Sequence, residues 1–207
     1  MTNMLVVLLL CAVACVVLPA RVHADHSESH RIMLVKAAVV LNVVRFVSWP
    51  EYAFADPYSP INLCYYRTNP FPDALDSIEG KPVSGRKLVI RKVENMSDAS
   101  ECQIMLVAIA EMEHYNKFRS AITRSARPPA MLTLTDRTDE TSSDQYNDIR
   151  DNGIRDNGIR DNDIMVSLIR TGSRIGFEVN LRASREAGLK ISSELLKHAR
   201  IVRESKL

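Results

Sequence analysis

The stretch QIMLVAI at residues 103–109 decides the fold, because Ile104 to Ile109 form an unbroken apolar run. A short run of this kind predicts a strand covered on both faces, which is typical of parallel sheets. Outward from it, strand-like and helix-like segments alternate along the chain. The alternation predicts an α/β fold: a single sandwich domain with a central, mostly parallel sheet, flanking helices and a C-terminal β-hairpin edge.

The other strands are predicted from short β-type or alternating runs at residues 61–67, 87–93 and 130–135. Two further strand-like runs, 163–170 and 174–180, flank the turn Thr171-Gly172-Ser173 and predict the hairpin. In these segments β-type residues are bounded by turn formers, which is the usual pattern of a strand.

Helical spacing of apolar residues predicts helices at 31–48, 70–78 and 111–126, and one or two more within 181–202, broken near Gly188. The first helix should end at Trp49-Pro50, because proline disfavours the helical conformation at the residue before it.

Composition places the chain among ordinary globular proteins. It has 207 residues, of which 46% are hydrophobic and 25% charged, with a formal net charge of +2. These values fit one domain with a sizeable core and exclude a disordered chain, a collagen, a coiled coil and a polytopic membrane protein. A charge so close to zero gives no long-range attraction to nucleic acid or anionic lipid.

The N-terminal segment has the pattern of a secretory signal peptide. The apolar run Met4 to Leu18 would span about 22 Å as a helix, short of the roughly 30 Å bilayer core. The small-residue pattern before Ala24 predicts cleavage there, although no Lys or Arg precedes the run. The predicted organisation is a signal peptide at 1–24, a flexible tail at 25–30 and a domain at 31–207. A lipoprotein anchored at Cys15 and a retained anchor are the alternatives.

Cleavage after Ala24 would remove Cys11 and Cys15 and leave Cys64 and Cys102. In an oxidising compartment two such cysteines tend to pair, and the chain-entropy model then gives about 4 kcal/mol of stabilisation. Two separate buried thiols are the alternative. Pairing is the favoured prediction.

Residues 136–163 predict a long inserted loop of low complexity. Within it the motif Ile-Arg-Asp-Asn-Gly recurs every five residues, beginning at Ile149. A β-solenoid would need many more coils, and a calcium loop needs a different spacing of its acids. A solvated, charge-balanced loop lengthened by repeat expansion is favoured, because loop-closure entropy rises slowly with length.

The sequence lacks the common nucleophile-elbow, phosphate-loop, dinucleotide, zinc-protease and paired-cysteine motifs. Cys64 with His114 or His198 could form a nucleophile–base pair, and His26 with His30 could bind a metal. A disulfide and a frayed tail, respectively, explain these residues better. We therefore predict no enzyme activity, no metal and no cofactor.

A small set of residues predicts a binding surface. Trp49 is the sole tryptophan, and Arg45 precedes it by one helical turn. Glu178 and Asn180 share one face of a strand. A core tryptophan, a solvated arginine and a hydrogen-bonding polar pair are the structural alternatives. The Ser192-Ser193-Glu194 cluster is also explained by helix capping.

Two longer motifs carry a family resemblance. VKAAVVLNVVRFVSWP at 35–50 and FEVNLRASREAGLKISSELLKHARIV at 177–202 resemble the YfiR family. The similarity extends from about Leu34 to Val202 and is interrupted by the repeat loop. The same resemblance places Cys64 on a first strand and Cys102 just before the buried strand, as a disulfide pair.

The resemblance implies a periplasmic α/β protein that regulates rather than catalyses. The founding member is a soluble periplasmic homodimer that binds the sensor domain of an inner-membrane diguanylate cyclase and represses it, which lowers cyclic-di-GMP signalling and opposes biofilm formation. For this chain it implies such a sensor domain as partner, a homodimer, and neither nucleic-acid binding nor direct membrane insertion.

From the clustering of motif residues we predict a partner- or ligand-binding surface that comprises Arg45, Trp49, Glu178, Asn180, Ser192, Ser193 and Leu196. A periplasmic small-molecule sensor, in which Trp49 and Arg45 grip an aromatic or anionic ligand, is the alternative function.

Overall fold

A computed structural model describes residues 20–122, 129–139 and 164–203. The apolar run at 4–18, and with it the predicted signal peptide up to residue 19, lies outside the described residues, as does the repeat loop from residue 140 to 163. Within the described ranges, no helix is long and apolar enough to cross a membrane.

Ten strands are described, with the bounds β1 Val47–Ser48, β2 Ile61–Tyr66, β3 Pro82–Val83, β4 Arg86–Val93, β5 Ile104–Val107, β6 Leu132–Asp136, β7 Val166–Thr171, β8 Arg174–Asn180, β9 Lys190–Ile191 and β10 Ile201–Arg203. Eight of them form one sheet in the order β10-β8-β7-β6-β5-β2-β4-β3, and β1 pairs with β9 in a separate ribbon.

The central strands β4, β2, β5, β6 and β7 are parallel to one another. The predicted hairpin is present: β8 returns antiparallel to β7 around a turn in which Gly172 has a φ of 61°. The α/β fold with a mostly parallel central sheet and a C-terminal hairpin is therefore confirmed.

Four α-helices are described: α1 Ala20–Arg45, α2 Met112–Ile122, α3 Leu181–Glu186 and α4 Ser193–Leu196. Single 3₁₀ turns lie at Glu51–Ala53, Leu75–Ile78, Met96–Glu101 and Ile109–Glu111. Helix α1 starts before the predicted residue 31, so it includes residues 25–30, which were expected to form a tail. It also ends earlier, at Arg45, because Val47 and Ser48 pair with residues of β9.

The predicted helix at 70–78 is wrong in extent, since only the turn Leu75–Ile78 forms. Asp73 has a φ of 60° and interrupts the helical path, and Pro72 has no N–H to donate. The C-terminal segment contains the two predicted helices, α3 and α4. It also contains β9 and β10, which the local pattern does not indicate because their partners are far away in the chain.

Strand β5 separates two layers of core. Ile104 and Leu106 belong to the apolar cluster that includes Val40 of α1. Met105 and Val107 belong to the cluster on the other face, with Tyr115 of α2. All four β5 residues are buried, which confirms the prediction of a strand covered on both faces.

The predicted disulfide is present between Cys64 on β2 and Cys102, two residues before β5. Their Cα atoms lie 5.9 Å apart, and both side chains are buried in the α2-side cluster. Because β2 and β5 are neighbours in the sheet, the bond links adjacent parallel strands at the face that α2 covers.

A buried ion pair joins α1 to the carboxyl end of strand β6. Lys36 is fully buried, and its Nζ lies 2.7 Å from Oδ2 of Asp136, the last residue of β6. The other carboxylate oxygen of Asp136 accepts hydrogen bonds from the backbone N–H and the hydroxyl of Thr138, at 3.0 and 2.8 Å. A lysine within an otherwise apolar stretch of α1 was the sequence signal for this contact.

We expect Lys36→Met to destabilise the protein by about 3–5 kcal/mol, because it leaves the Asp136 carboxylate without its cation. The double variant Lys36→Met/Asp136→Asn should be less destabilised than Lys36→Met alone, since no uncompensated charge remains. Urea unfolding of the wild type, Lys36→Met, Asp136→Asn and the double variant measures this coupling. Losses that simply add would contradict the pairing.

Candidate functional site

The connection from α1 to β2 lies at the amino-terminal edge of the parallel strands. Val47 pairs with Ile191 and Ser48 with Lys190, and the backbone N–H of Ser192 donates to the carbonyl of Phe46 at 2.9 Å. This ribbon brings the end of α1 next to the start of α4. We call residues 45–54 and 188–196 together the ribbon corner.

Gln103 fixes the ribbon corner to the sheet. The indole Nε1 of Trp49 donates to the Gln103 carbonyl at 3.1 Å. The Gln103 side-chain amide donates to the carbonyl of Ala53 at 2.8 Å, and its oxygen accepts from the backbone N–H of Asn62 at 2.9 Å. Because Gln103 directly follows Cys102 and is itself buried, the corner is held against the core next to the disulfide.

Aromatic side chains are concentrated on the exposed surface of this connection. Phe46, Tyr52 and Tyr58 are 40%, 51% and 92% exposed, and they are three of the five exposed large hydrophobic residues in the described ranges. Tyr52 reaches across to Gly188, where a methyl group would lie 3.1 Å from its hydroxyl oxygen. The ribbon corner and the following loop therefore present apolar surface together.

The loop before β2 is a turn held by hydrogen bonds from its own residues. The Oδ1 of Asp56 accepts from the backbone N–H of Tyr58 at 2.7 Å, and the Ser59 hydroxyl accepts from the backbone N–H of Asp56 at 3.1 Å. The backbone hydrogen bond from Tyr58, followed by a hydrogen bond between the carboxyl and the Ser59 side chain, lowers the pKa of the Asp56 carboxyl below its usual range. Asp56 is therefore a carboxylate at neutral pH.

Arg86, the first residue of β4, forms hydrogen bonds with the backbone of this turn. Its Nη1 donates to the carbonyls of Asp56 and Ser59, at 3.0 and 2.6 Å. Its guanidinium carbon also lies 3.7 Å from the centroid of the Phe54 ring, within the range of a cation–π contact.

The structure brings five of the predicted surface residues to the ribbon corner: Arg45, Trp49, Ser192, Ser193 and Leu196. Arg45 is exposed at the end of α1 with its Nη1 3.5 Å from Oδ1 of Asn42, and Trp49 is half-buried. The Ser192 hydroxyl accepts from the backbone N–H of Glu194 at 3.2 Å, so it caps α4, while Ser193 is exposed.

The remaining two predicted residues lie deeper. Glu178 and Asn180 are both buried in β8, and Oδ1 of Asn180 accepts from the backbone N–H of Ala183 at 3.1 Å to cap α3. Within the ribbon corner, Leu196 is partly buried against the core. The inclusion of any of the seven residues in a partner surface stays a prediction.

Sequence reasoning missed Tyr58, Arg86 and Gln103 as parts of this site. The tripeptide Asp56-Pro57-Tyr58 was the available signal for a turn that displays an aromatic residue. No local signal marks Arg86 or Gln103, because both act on segments distant in the chain.

The residues considered for catalysis have other roles in the structure. The Cys64 sulfur is bonded to Cys102, so it offers no thiolate. The Nδ1 of His114 lies 3.6 Å from Oε2 of Glu111 at the far end of β5. In the described part of the chain, no group of three or more His, Cys, Asp or Glu residues is arranged to hold a metal ion.

We expect Gln103→Ala to loosen the ribbon corner, because it leaves the Asn62 N–H and the Ala53 carbonyl without their partner. The free energy of unfolding should fall by about 1–3 kcal/mol. Acrylamide quenching of Trp49, the sole tryptophan, should rise in the folded variant. Asn42→Ala, an exposed change on α1, is the control, and identical quenching in all three proteins would contradict the role of Gln103.

Comparison with known proteins agrees with this architecture. No curated protein sequence matches the chain. A family model described as YfiR/HmsC-like matches residues 34–200, which include every described strand except β10. The chain therefore belongs to the YfiR/HmsC-like family.

Proposed function

We propose that the protein is a periplasmic regulatory binding protein that binds the sensor domain of an inner-membrane diguanylate cyclase and represses it, thereby lowering cyclic-di-GMP signalling. The observation that carries the proposal is the match to the YfiR/HmsC-like family over residues 34–200. That match spans the sheet, the disulfide and the ribbon corner together.

The geometry of the ribbon corner supports binding as the mode of action. Exposed aromatic side chains next to a rigid, disulfide-linked sheet offer a preformed contact surface. Arg45 and Ser193 are exposed beside them and could contribute polar contacts at its rim. We place the partner surface at this corner.

A binding protein of this kind regulates by its difference in affinity for two states of the partner. If it binds the inactive state of the cyclase more tightly, occupancy shifts the population toward that state. A 10,000-fold preference, equivalent to about 5.5 kcal/mol, would move the equilibrium from mostly active to mostly inactive. The protein itself needs to perform no chemistry, and we propose that it acts as a homodimer without a cofactor.

Export is part of the proposal. The predicted cleavage after Ala24 removes Cys11 and Cys15 with the signal peptide, and the oxidising periplasm favours the Cys64–Cys102 disulfide.

Deletion of the gene in its native host should raise cellular cyclic-di-GMP and increase biofilm, because the cyclase loses its repressor. Re-expression of the intact protein should restore the original level, measured by mass spectrometry of extracted nucleotides. A double deletion that also removes the partner cyclase is the control and should show no rise. An unchanged cyclic-di-GMP level in the single deletion would refute the proposal.

Protein recovered from the periplasmic fraction should begin at Asp25 and show no free thiol until it is reduced, after which two thiols should appear. N-terminal sequencing and thiol titration under denaturing conditions measure both features. A chain that keeps Cys11 or Cys15, or one found in the cytoplasm with free thiols, would contradict export.

A further inference from the structure

We infer that residues 54–60, which we call the Tyr58 loop, form the anchor of the protein's interaction surface, and that the anchor fits a protein pocket with an apolar floor and a basic rim. The inference deepens the proposed function, since it assigns the contact by which the regulatory partner is held.

The exposure of Tyr58 is the first observation. Its side chain is 92% exposed, more than that of any other large hydrophobic residue in the described ranges. A tyrosine ring left in water gains nothing for folding, whereas burial at an interface gains its full apolar area and offers the hydroxyl a partner. Tyrosine is accordingly enriched among the residues that dominate binding energy.

The second observation is that the loop is held in one conformation. Asp56, Ser59 and the backbone of Tyr58 form a closed set of hydrogen bonds at 2.7 to 3.1 Å. Arg86 adds two hydrogen bonds to loop carbonyls and a stacking contact with Phe54. Proline at 57 and 60 restricts the backbone further. A loop ordered before binding loses little entropy when it binds.

The third observation is continuity with the ribbon corner. Ala53, directly before the loop, is hydrogen-bonded to Gln103, and Tyr52 lies against the Gly188 turn. Phe46 is exposed on the same connection between α1 and β2. Tyr58 thus follows two other exposed aromatic residues along the same connection, and these would contact the periphery of the partner.

Charge distinguishes a protein pocket from a lipid surface. Glu51 and Asp56 are exposed carboxylates close to Tyr58 in the chain, and the guanidinium of Arg86 is occupied by loop carbonyls. Arg86 keeps its positive charge, so the two carboxylates and this guanidinium together give a net charge of −1, which offers an anionic lipid surface no attraction. A protein pocket that carries Lys or Arg at its rim would instead complement both carboxylates.

The test begins with a photo-cross-linking side chain in intact cells of the native host. In one variant p-benzoyl-phenylalanine replaces Tyr58, and in a matched variant it replaces Ile109, which is also an exposed apolar residue but lies beyond the carboxyl end of β5. We expect a protein adduct from position 58 and none of that size from position 109. Lipid adducts, or no protein adduct, at position 58 would overturn the inference.

The captured protein's soluble domain is then purified and titrated with wild-type protein and with Tyr58→Ala, Tyr58→Phe, Glu51→Lys and Ile109→Ala. Tyr58→Ala should weaken binding by about 30-fold, Tyr58→Phe by far less, and Glu51→Lys should weaken binding most at low salt. Ile109→Ala should bind as the wild type does. Equal binding by Tyr58→Ala and wild type would overturn the inference.

The two proposals fail separately in this design. If the adduct is a protein other than a diguanylate cyclase and Tyr58→Ala weakens its binding, the surface stands and the proposed function falls. If a cyclase sensor domain binds wild type and Tyr58→Ala equally, the proposed function stands and the Tyr58 anchor falls. Binding to vesicles of anionic phospholipid, lost in Tyr58→Ala, would identify a membrane contact and refute the protein pocket.

Discussion

Strand β5 keeps all four of its side chains out of water, and the arrangement of both layers depends on that burial. Ile104 and Leu106 require the cover of α1, while Met105 and Val107 require the cover of α2. The Cys64–Cys102 disulfide links strand β2 to the segment just before β5. It therefore holds the two central strands together beyond the amino-terminal end of β5. Because β5 is buried on both faces, the surfaces of α1 and α2 that cover it must be apolar.

The proposed interaction surface lies at the amino-terminal edge of this sheet, where hydrogen bonds attach it to the residue before β5. Gln103 lies between the disulfide and strand β5, and its hydrogen bonds hold Trp49 and Ala53 in place. At the opposite edge the Lys36–Asp136 pair fastens α1 to the end of β6. Helix α1 is thus attached to the sheet at both edges, and the ribbon corner begins at the last residue of α1.

Much of the fold was accessible from the sequence, because the central strands and the hairpin carry their own local patterns. The pairing of Cys64 with Cys102 followed from counting the cysteines that export would leave. The contacts that were missed join residues far apart in the chain. Ser48 pairs with Lys190, and Lys36 with Asp136, so the partner in each pair cannot be read from the local sequence. The predicted helix at 70–78 failed for a different reason, since apolar spacing overrode the backbone restriction at Asp73.

The sequence by itself determined the α/β class, the buried central strand and the family motifs, since each depends on residue type and near neighbours. It also predicted the disulfide, because the expected export would leave only two cysteines. The tertiary structure alone decided which polar and aromatic residues face solvent. Glu178 and Asn180 share a face of β8 as expected, but neighbouring elements bury them. Tyr58 is exposed in a loop whose carbonyls at Asp56 and Ser59 accept hydrogen bonds from Arg86, the first residue of β4. Exposure is a property of the assembled layers, and residue order does not encode it locally.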